Sequence, residues 1–230
     1  MKIIFAIMFS ALIVSNAVAR ICQADSIRVA CLGDSITAGT RVDAKTESYP
    51  ARLQTLLGNG WIVRNFGIGG ATLIKTGQPN VWQTLDAVKK YHPDIVVISL
   101  GTNDTVGGKR KNWEKIARFE DDYSELIASL QGLPSQPRIV VCTPTAMVLE
   151  TPGLSASRSA NLQERKPRLQ NLCDRVRRLA EQHSQQNVSL LELNLLLQRR
   201  PELLTTSDGV HPNANGYSAI AKAVAAHLRP

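Results

Sequence analysis

The 230-residue sequence is short of histidine and cysteine, with four of each, and only 5% of it is aromatic. Its cysteines form no CxxC pair and no Cys/His spacing that would hold zinc. Neither a metal centre nor any other cofactor is implied. Long apolar runs are missing as well: the most apolar stretch, Ile3 to Val14, is too short to span a bilayer comfortably. Nucleotide-binding loops lack their glycines. Gly67-Ile68-Gly69-Gly70 would need a further glycine where Thr72 stands, and Lys75-Thr76 has no glycine before its lysine. No internal repeat, low-complexity tract or interdomain linker is present.

What remains is an ordinary globular composition, 43% hydrophobic and 20% charged, enough to bury the core of one full domain. Residues 1–19 stand apart. Lys2, the apolar run and the small residues Ala17-Val18-Ala19 read as a signal peptide removed on export. The mature chain is then expected to be periplasmic or secreted, without stable membrane insertion, as a single domain over residues 25–230. Export permits disulfides; Cys31 and Cys142 fall in predicted core strands, while Cys22 and Cys173 could pair. The net charge is +8, with the excess gathered in Lys109-Arg110-Lys111 and from Arg158 to Arg178. Along the second group Leu162, Leu169, Leu172 and Leu179 share one face. The basic residues there read first as a solvated helix face and only second as a polyanion site. No nucleic-acid partner is implied, and the oligomeric state is left open.

Short β-branched apolar runs alternate with amphipathic segments from end to end. Residues 27–32, 61–66, 94–100, 138–142 and 188–191 read as strands, the third being apolar on both faces as a parallel sheet requires. Helices are expected between them, including a long basic one over residues 157–183 in which Pro167 suggests a break or a second start. The class is α/β: a three-layer sandwich around a five-stranded parallel sheet of flavodoxin-like order 2-1-3-4-5.

In such a sheet, ligands bind beyond the carboxyl ends of the strands. There the sequence places Gly33-Asp34-Ser35, the glycine-dense Gly67 to Thr72 and Gly101-Thr102-Asn103-Asp104, with Asp208-Gly209-Val210-His211-Pro212 before the last helix. Ser35 offers a hydroxyl. His211 could take its proton, and Asp208, three residues earlier, could orient the imidazole within one turn. The N–H groups of Ser35 and Gly70 and the side-chain amide of Asn103 could donate to an oxyanion. Against this stands the blander reading that Asp34-Ser35 merely caps a helix. Asp34 and Asp104 read as holding their loops through backbone hydrogen bonds. Asn103-Asp104-Thr105 and Asn187-Val188-Ser189 match glycosylation sequons, the first discounted for its place in the predicted site.

These four stretches, the second taken from Asn65 to Thr72, in this order resemble the blocks of the SGNH (GDSL-type) hydrolase superfamily, with Ile36 where leucine is usual. The resemblance covers nearly the whole mature chain. It implies Ser35 as nucleophile, His211 as general base, Asp208 as its partner, and Gly70 and Asn103 in the oxyanion hole. Ser48-Tyr49-Pro50, Arg64-Asn65-Phe66-Gly67, the segment from Thr72 to Trp82 and Asn112-Trp113 resemble the sialate or carbohydrate O-acetylesterase branch. The expected activity is hydrolysis of small acyl esters, acetyl above all, on a glycan or other small-molecule ester. Asp34, Trp82 and Trp113 are the candidate substrate contacts, although both tryptophans read equally as helix packing. The alternatives are a lysophospholipase or thioesterase acting on longer chains, and a non-catalytic carbohydrate-binding module.

Overall fold

The structure, a computed structural model, describes residues 26–229. The expected signal peptide and Cys22 lie outside the described residues.

Five strands form one parallel sheet: β1 (Ile27–Gly33), β2 (Trp61–Gly67), β3 (Ile95–Ser99), β4 (Arg138–Cys142) and β5 (Val188–Leu191), in the order β2-β1-β3-β4-β5. Among the described residues, seven α-helices accompany them: α1 (Ser35–Ala38), α2 (Tyr49–Leu57), α3 (Leu85–Tyr91), α4 (Phe119–Gln131), α5 (Ala156–Gln182), α6 (Leu193–Leu197) and α7 (Ala214–Leu228). The expected architecture and strand order are those observed.

The two-residue period of the strands sorts their side chains between two cores. Ala30, Leu32, Val96, Ile98, Ile139 and Val141 point to one side, where Val88 of α3, Leu126 and Leu130 of α4, and Leu172 and Val176 of α5 meet them. Val29, Cys31, Ile95, Val97, Val140 and Cys142 point to the other, against Leu53 of α2, Leu197 of α6 and Ile220 and Val224 of α7. Both faces being covered, every residue of β3 is buried. Each fully buried Val, Leu or Ile among them contributes about 1.5–3 kcal/mol by leaving water. Only β2, at the edge, alternates toward solvent.

Two expectations about α5 are corrected. Pro167 sits inside a continuous helix rather than at a break. Gln163 and Pro167 are both exposed, so the carbonyl deprived of its amide donor lies on the solvent side, where the loss is small. Nor are the arginines of α5 simply a solvated face. Arg165 is 7% exposed and bonded to the Thr102 carbonyl and the Thr105 hydroxyl. Its spacing carried the signal: it stands three residues after Leu162 and four before Leu169, on the apolar stripe itself. Cys173, on the same helix, is fully buried with its sulfur toward the Pro144 carbonyl.

Candidate active site

The carboxyl edge of β1 runs directly into α1. At Gly33 a side chain would meet the Thr37 hydroxyl at 2.1 Å and the Ser99 carbonyl at 2.6 Å, so only glycine lets the strand pass this close to its neighbour. Asp34 then caps α1, its carboxylate accepting from the Ile36 N–H at 2.9 Å. Ser35 is thereby the first residue of a four-residue helix that Gly39 ends. The capping reading of Asp34-Ser35 is thus correct for Asp34, and it leaves the Ser35 hydroxyl free to point elsewhere.

That hydroxyl meets His211. Ser35 Oγ lies 2.9 Å from His211 Nε2, and His211 Nδ1 lies 3.1 and 3.0 Å from the two oxygens of Asp208. The loop carrying both is held at each end: Thr205 N–H donates to the His211 carbonyl, and Leu204 pairs with Pro212. Asn213 follows and caps α7 with its side-chain oxygen. The Asp208 side chain is 5% exposed and that of His211 is 19% exposed, so the acid is sealed while the imidazole reaches the surface. Burial pushes the Asp208 carboxyl up. The His211 side-chain and backbone hydrogen bonds, with that from Val210, outweigh it and hold the group well below the usual carboxylate range.

The Gly70 and Asn103 loops are bound to each other. Asn103 donates one side-chain N–H to the Ala71 carbonyl at 3.0 Å, which leaves its second amide hydrogen unspent. Gly70 adopts φ 79°, a left-handed conformation suited to glycine. Its carbonyl accepts from Arg110 at 2.7 Å, which fixes the orientation of the turn. Beneath both loops lies Asp104, wholly buried, taking N–H bonds from Leu73 and Ile74. Arg165 and Arg168 of α5 brace the same turn from behind through Thr102 and Thr105.

Burial pushes the Asp34 carboxyl up to about 6 and the Asp104 carboxyl up to about 7. The folded protein therefore holds protons that the unfolded chain releases near pH ~4. Stability contributed by these groups is greatest at and below that pH and falls as the pH rises through the folded values. Asp104→Asn is expected to flatten this decline between about pH 4 and 7. Urea unfolding at a series of pH values measures it; an unchanged slope would show that Asp104 titrates as an ordinary carboxyl.

The three candidate substrate contacts are engaged within the protein. Asp34 is 1% exposed and turned inward. Trp82 donates its indole N–H to the Leu73 carbonyl at 2.8 Å, with the Lys75 ammonium 4.2 Å from its ring centre. Trp113 packs on the core with the Arg168 guanidinium 5.5 Å from its ring centre. Sequence reasoning missed the arginines at the site. Arg41 and Arg158 both bind the Asp208 carboxylate, each at 3.2 Å. Nothing in their local pattern marks them, because they meet Asp208 only through the tertiary fold.

A family model described as GDSL-like Lipase/Acylhydrolase matches residues 31–219. An acetylxylan esterase of Xylanibacter ruminicola is 31% identical over 227 residues, covering 89% of this chain and 44% of that protein. The chain thus spans less than half the length of that relative. Among solved structures, an aryl esterase of M. smegmatis superimposes with a TM-score of 0.69 at 20% identity, covering 89% of this chain and 99% of the other. A carbohydrate acetylesterase from Sinorhizobium meliloti gives 0.69 at 19% identity, covering 88% and 98%. At such identities these two structures speak for the fold. Among the described residues no helix is long and apolar enough to cross a membrane.

Proposed function

The chain belongs to the GDSL-like lipase/acylhydrolase family, and from that premise we propose that it is a serine esterase removing small acyl groups, chiefly acetyl, from a carbohydrate. The observation that carries the reading is the continuous relay from Ser35 Oγ through both ring nitrogens of His211 to a buried Asp208. A carboxylate on Nδ1 keeps the proton there, so Nε2 presents its lone pair to the serine hydroxyl. Ser35 Oγ attacks the acyl carbon while His211 takes its proton. The negative charge that develops on the former carbonyl oxygen is met by N–H groups of Ser35 and Gly70 and by the unspent amide hydrogen of Asn103. Each such donor is worth about 3–4 kcal/mol in the transition state. His211 then returns the proton to the departing sugar oxygen, leaving an acyl-enzyme on Ser35. Water, deprotonated by the same imidazole, releases the acid and restores the hydroxyl.

The acetylxylan esterase relative supports an acetyl group on a carbohydrate. Export, read from residues 1–19, belongs to the same proposal, since it would bring the enzyme to extracellular glycans. A panel of p-nitrophenyl esters from acetyl to dodecanoyl tests the acyl group. Acetate is expected to be released fastest, with kcat/KM falling about tenfold or more by octanoyl, since each extra methylene that finds no apolar pocket forgoes its binding energy. A maximum at long chains overturns the acetyl assignment in favour of a lysophospholipase or thioesterase. Acetate release from acetylated xylan oligomers, O-acetylated sialic acid and peptidoglycan fragments then identifies the carrier.

A further inference from the structure

Asp208 is bound by more than its histidine. Its Oδ2 accepts from His211 Nδ1 at 3.0 Å and from Arg41 Nε at 3.2 Å. Its Oδ1 accepts from a terminal nitrogen of Arg158 at 3.2 Å and from the backbone N–H groups of Val210 and His211 at 3.1 and 3.0 Å. Arg158 also donates Nε to the Asp208 carbonyl at 2.8 Å, so its planar fork spans side chain and backbone at once. A carboxylate has about four lone-pair directions, and here they are saturated by donors.

The two guanidinium groups arrive from different elements. Arg158 stands in the first turn of α5, where its own N–H is capped by Ser155. Arg41 lies in the loop after α1, and its backbone adopts φ 79°. That conformation is costly for a residue with a side chain, and such strain persists where surrounding structure demands it, often at functional sites. The neighbouring Thr40 carbonyl is anchored by the hydroxyl of Tyr217 on α7.

We propose that Arg41 and Arg158 are positioning residues acting through Asp208, holding its carboxylate in place behind His211 and sharing its negative charge. The inference rests on the serine-esterase reading of the same site. When Ser35 gives up its proton, His211 becomes an imidazolium, which Asp208 stabilises and the two guanidinium groups oppose. The other groups facing the pair are Asp34, which favours the imidazolium, and Tyr217, which burial keeps neutral. Arg165 lies behind Asp34 and offsets it.

Two measurements on Arg41→Gln, Arg158→Gln and Arg158→Lys test this: the pH profile of kcat/KM for p-nitrophenyl acetate, and the NMR titration of the His211 ring. In both Gln variants the acidic limb and the ring titration are expected to move up by about 0.5–1 pH unit, the size of losing one nearby charge at a partly exposed site. At neutral pH kcat should fall about tenfold with KM little changed, because the carboxylate that orients His211 is no longer held in place, a loss that outweighs the relief of charge opposition. Arg158→Lys should bring the limb back toward its original position, since the charge returns. It should leave kcat depressed, since an ammonium does not reproduce the fork. Lost activity with an unshifted His211 titration would make the arginines purely structural and overturn the proposal, as would unchanged values of both. Arg41 is 56% exposed, so Arg41→Gln tests the charge effect even where Arg158→Gln fails to fold. The ring titration needs no turnover, so it reports on the clamp even if Ser35→Ala shows that the esterase reading itself fails.

Discussion

Ser35→Ala is expected to lower kcat for p-nitrophenyl acetate by about ten-thousandfold or more, leaving only what the oxyanion donors and substrate binding supply. The structure makes this substitution clean. Ser35 is the first residue of α1, and the cap that supports the helix is the Asp34 carboxylate on the Ile36 N–H, which alanine leaves untouched. Alanine is also the best helix former. The side chain gives up its 2.9 Å hydrogen bond to His211 Nε2, so the melting temperature should stay within a few degrees of the parent. A fluorophosphonate that modifies the parent protein should leave Ser35→Ala unmodified by intact mass. If the variant keeps more than about one hundredth of the parent rate, the nucleophile is another group. If activity disappears together with the fold, the comparison moves to Ser35→Thr, which keeps a hydroxyl on a bulkier carbon.

On the proposed esterase reading, Asp208→Asn should cost nearly as much, about ten-thousandfold in kcat by analogy with the same exchange in the Ser-His-Asp triads of known enzymes. Here the surroundings dictate how the asparagine would sit. The backbone N–H groups of Val210 and His211 and the Arg158 guanidinium all point at Oδ1, which requires an oxygen acceptor there. The amide nitrogen must then occupy the place of Oδ2, facing His211 Nδ1 and Arg41 Nε. An N–H donor at Nδ1 selects the tautomer whose proton sits on Nε2, and that nitrogen can no longer take the serine's proton. The same NH₂ would oppose the Arg41 donor at a site 5% exposed. A stability loss of about 1–3 kcal/mol is therefore expected alongside the kinetic loss. Steady-state kinetics and urea unfolding check both; a kcat within tenfold of the parent would remove Asp208 from the relay.

The sheet was legible because each strand is a short β-branched run, and the parallel order followed from alternation with helices. Ser35, Gly70 and Asn103 were legible as positions because they fall just past strand ends, where an open α/β sheet presents its loops. The partners of Trp82 and Trp113 were not, since a tryptophan beside a rim reads the same whether its ring faces a sugar or a cationic side chain. The role of the basic helix was misread for a related reason. Charge counts and helical spacing see a guanidinium and its own helix, but not the Thr102 carbonyl or the Asp208 carboxylate contributed from elsewhere in the chain.

Local sequence alone thus determined the five strands, most of the helices between them and which loops follow the strand ends, because strand and helix periodicity and glycine placement are short-range properties. The tertiary structure decided what those groups touch. Ser35 and His211 lie 176 positions apart and Arg41 and Asp208 lie 167 apart, and at such separations partners are set by how the helices pack on the two faces of the sheet. Hydrogen bonds reach only about 3 Å, so packing, rather than any pattern along the chain, chose which arginines would share the carboxylate behind His211.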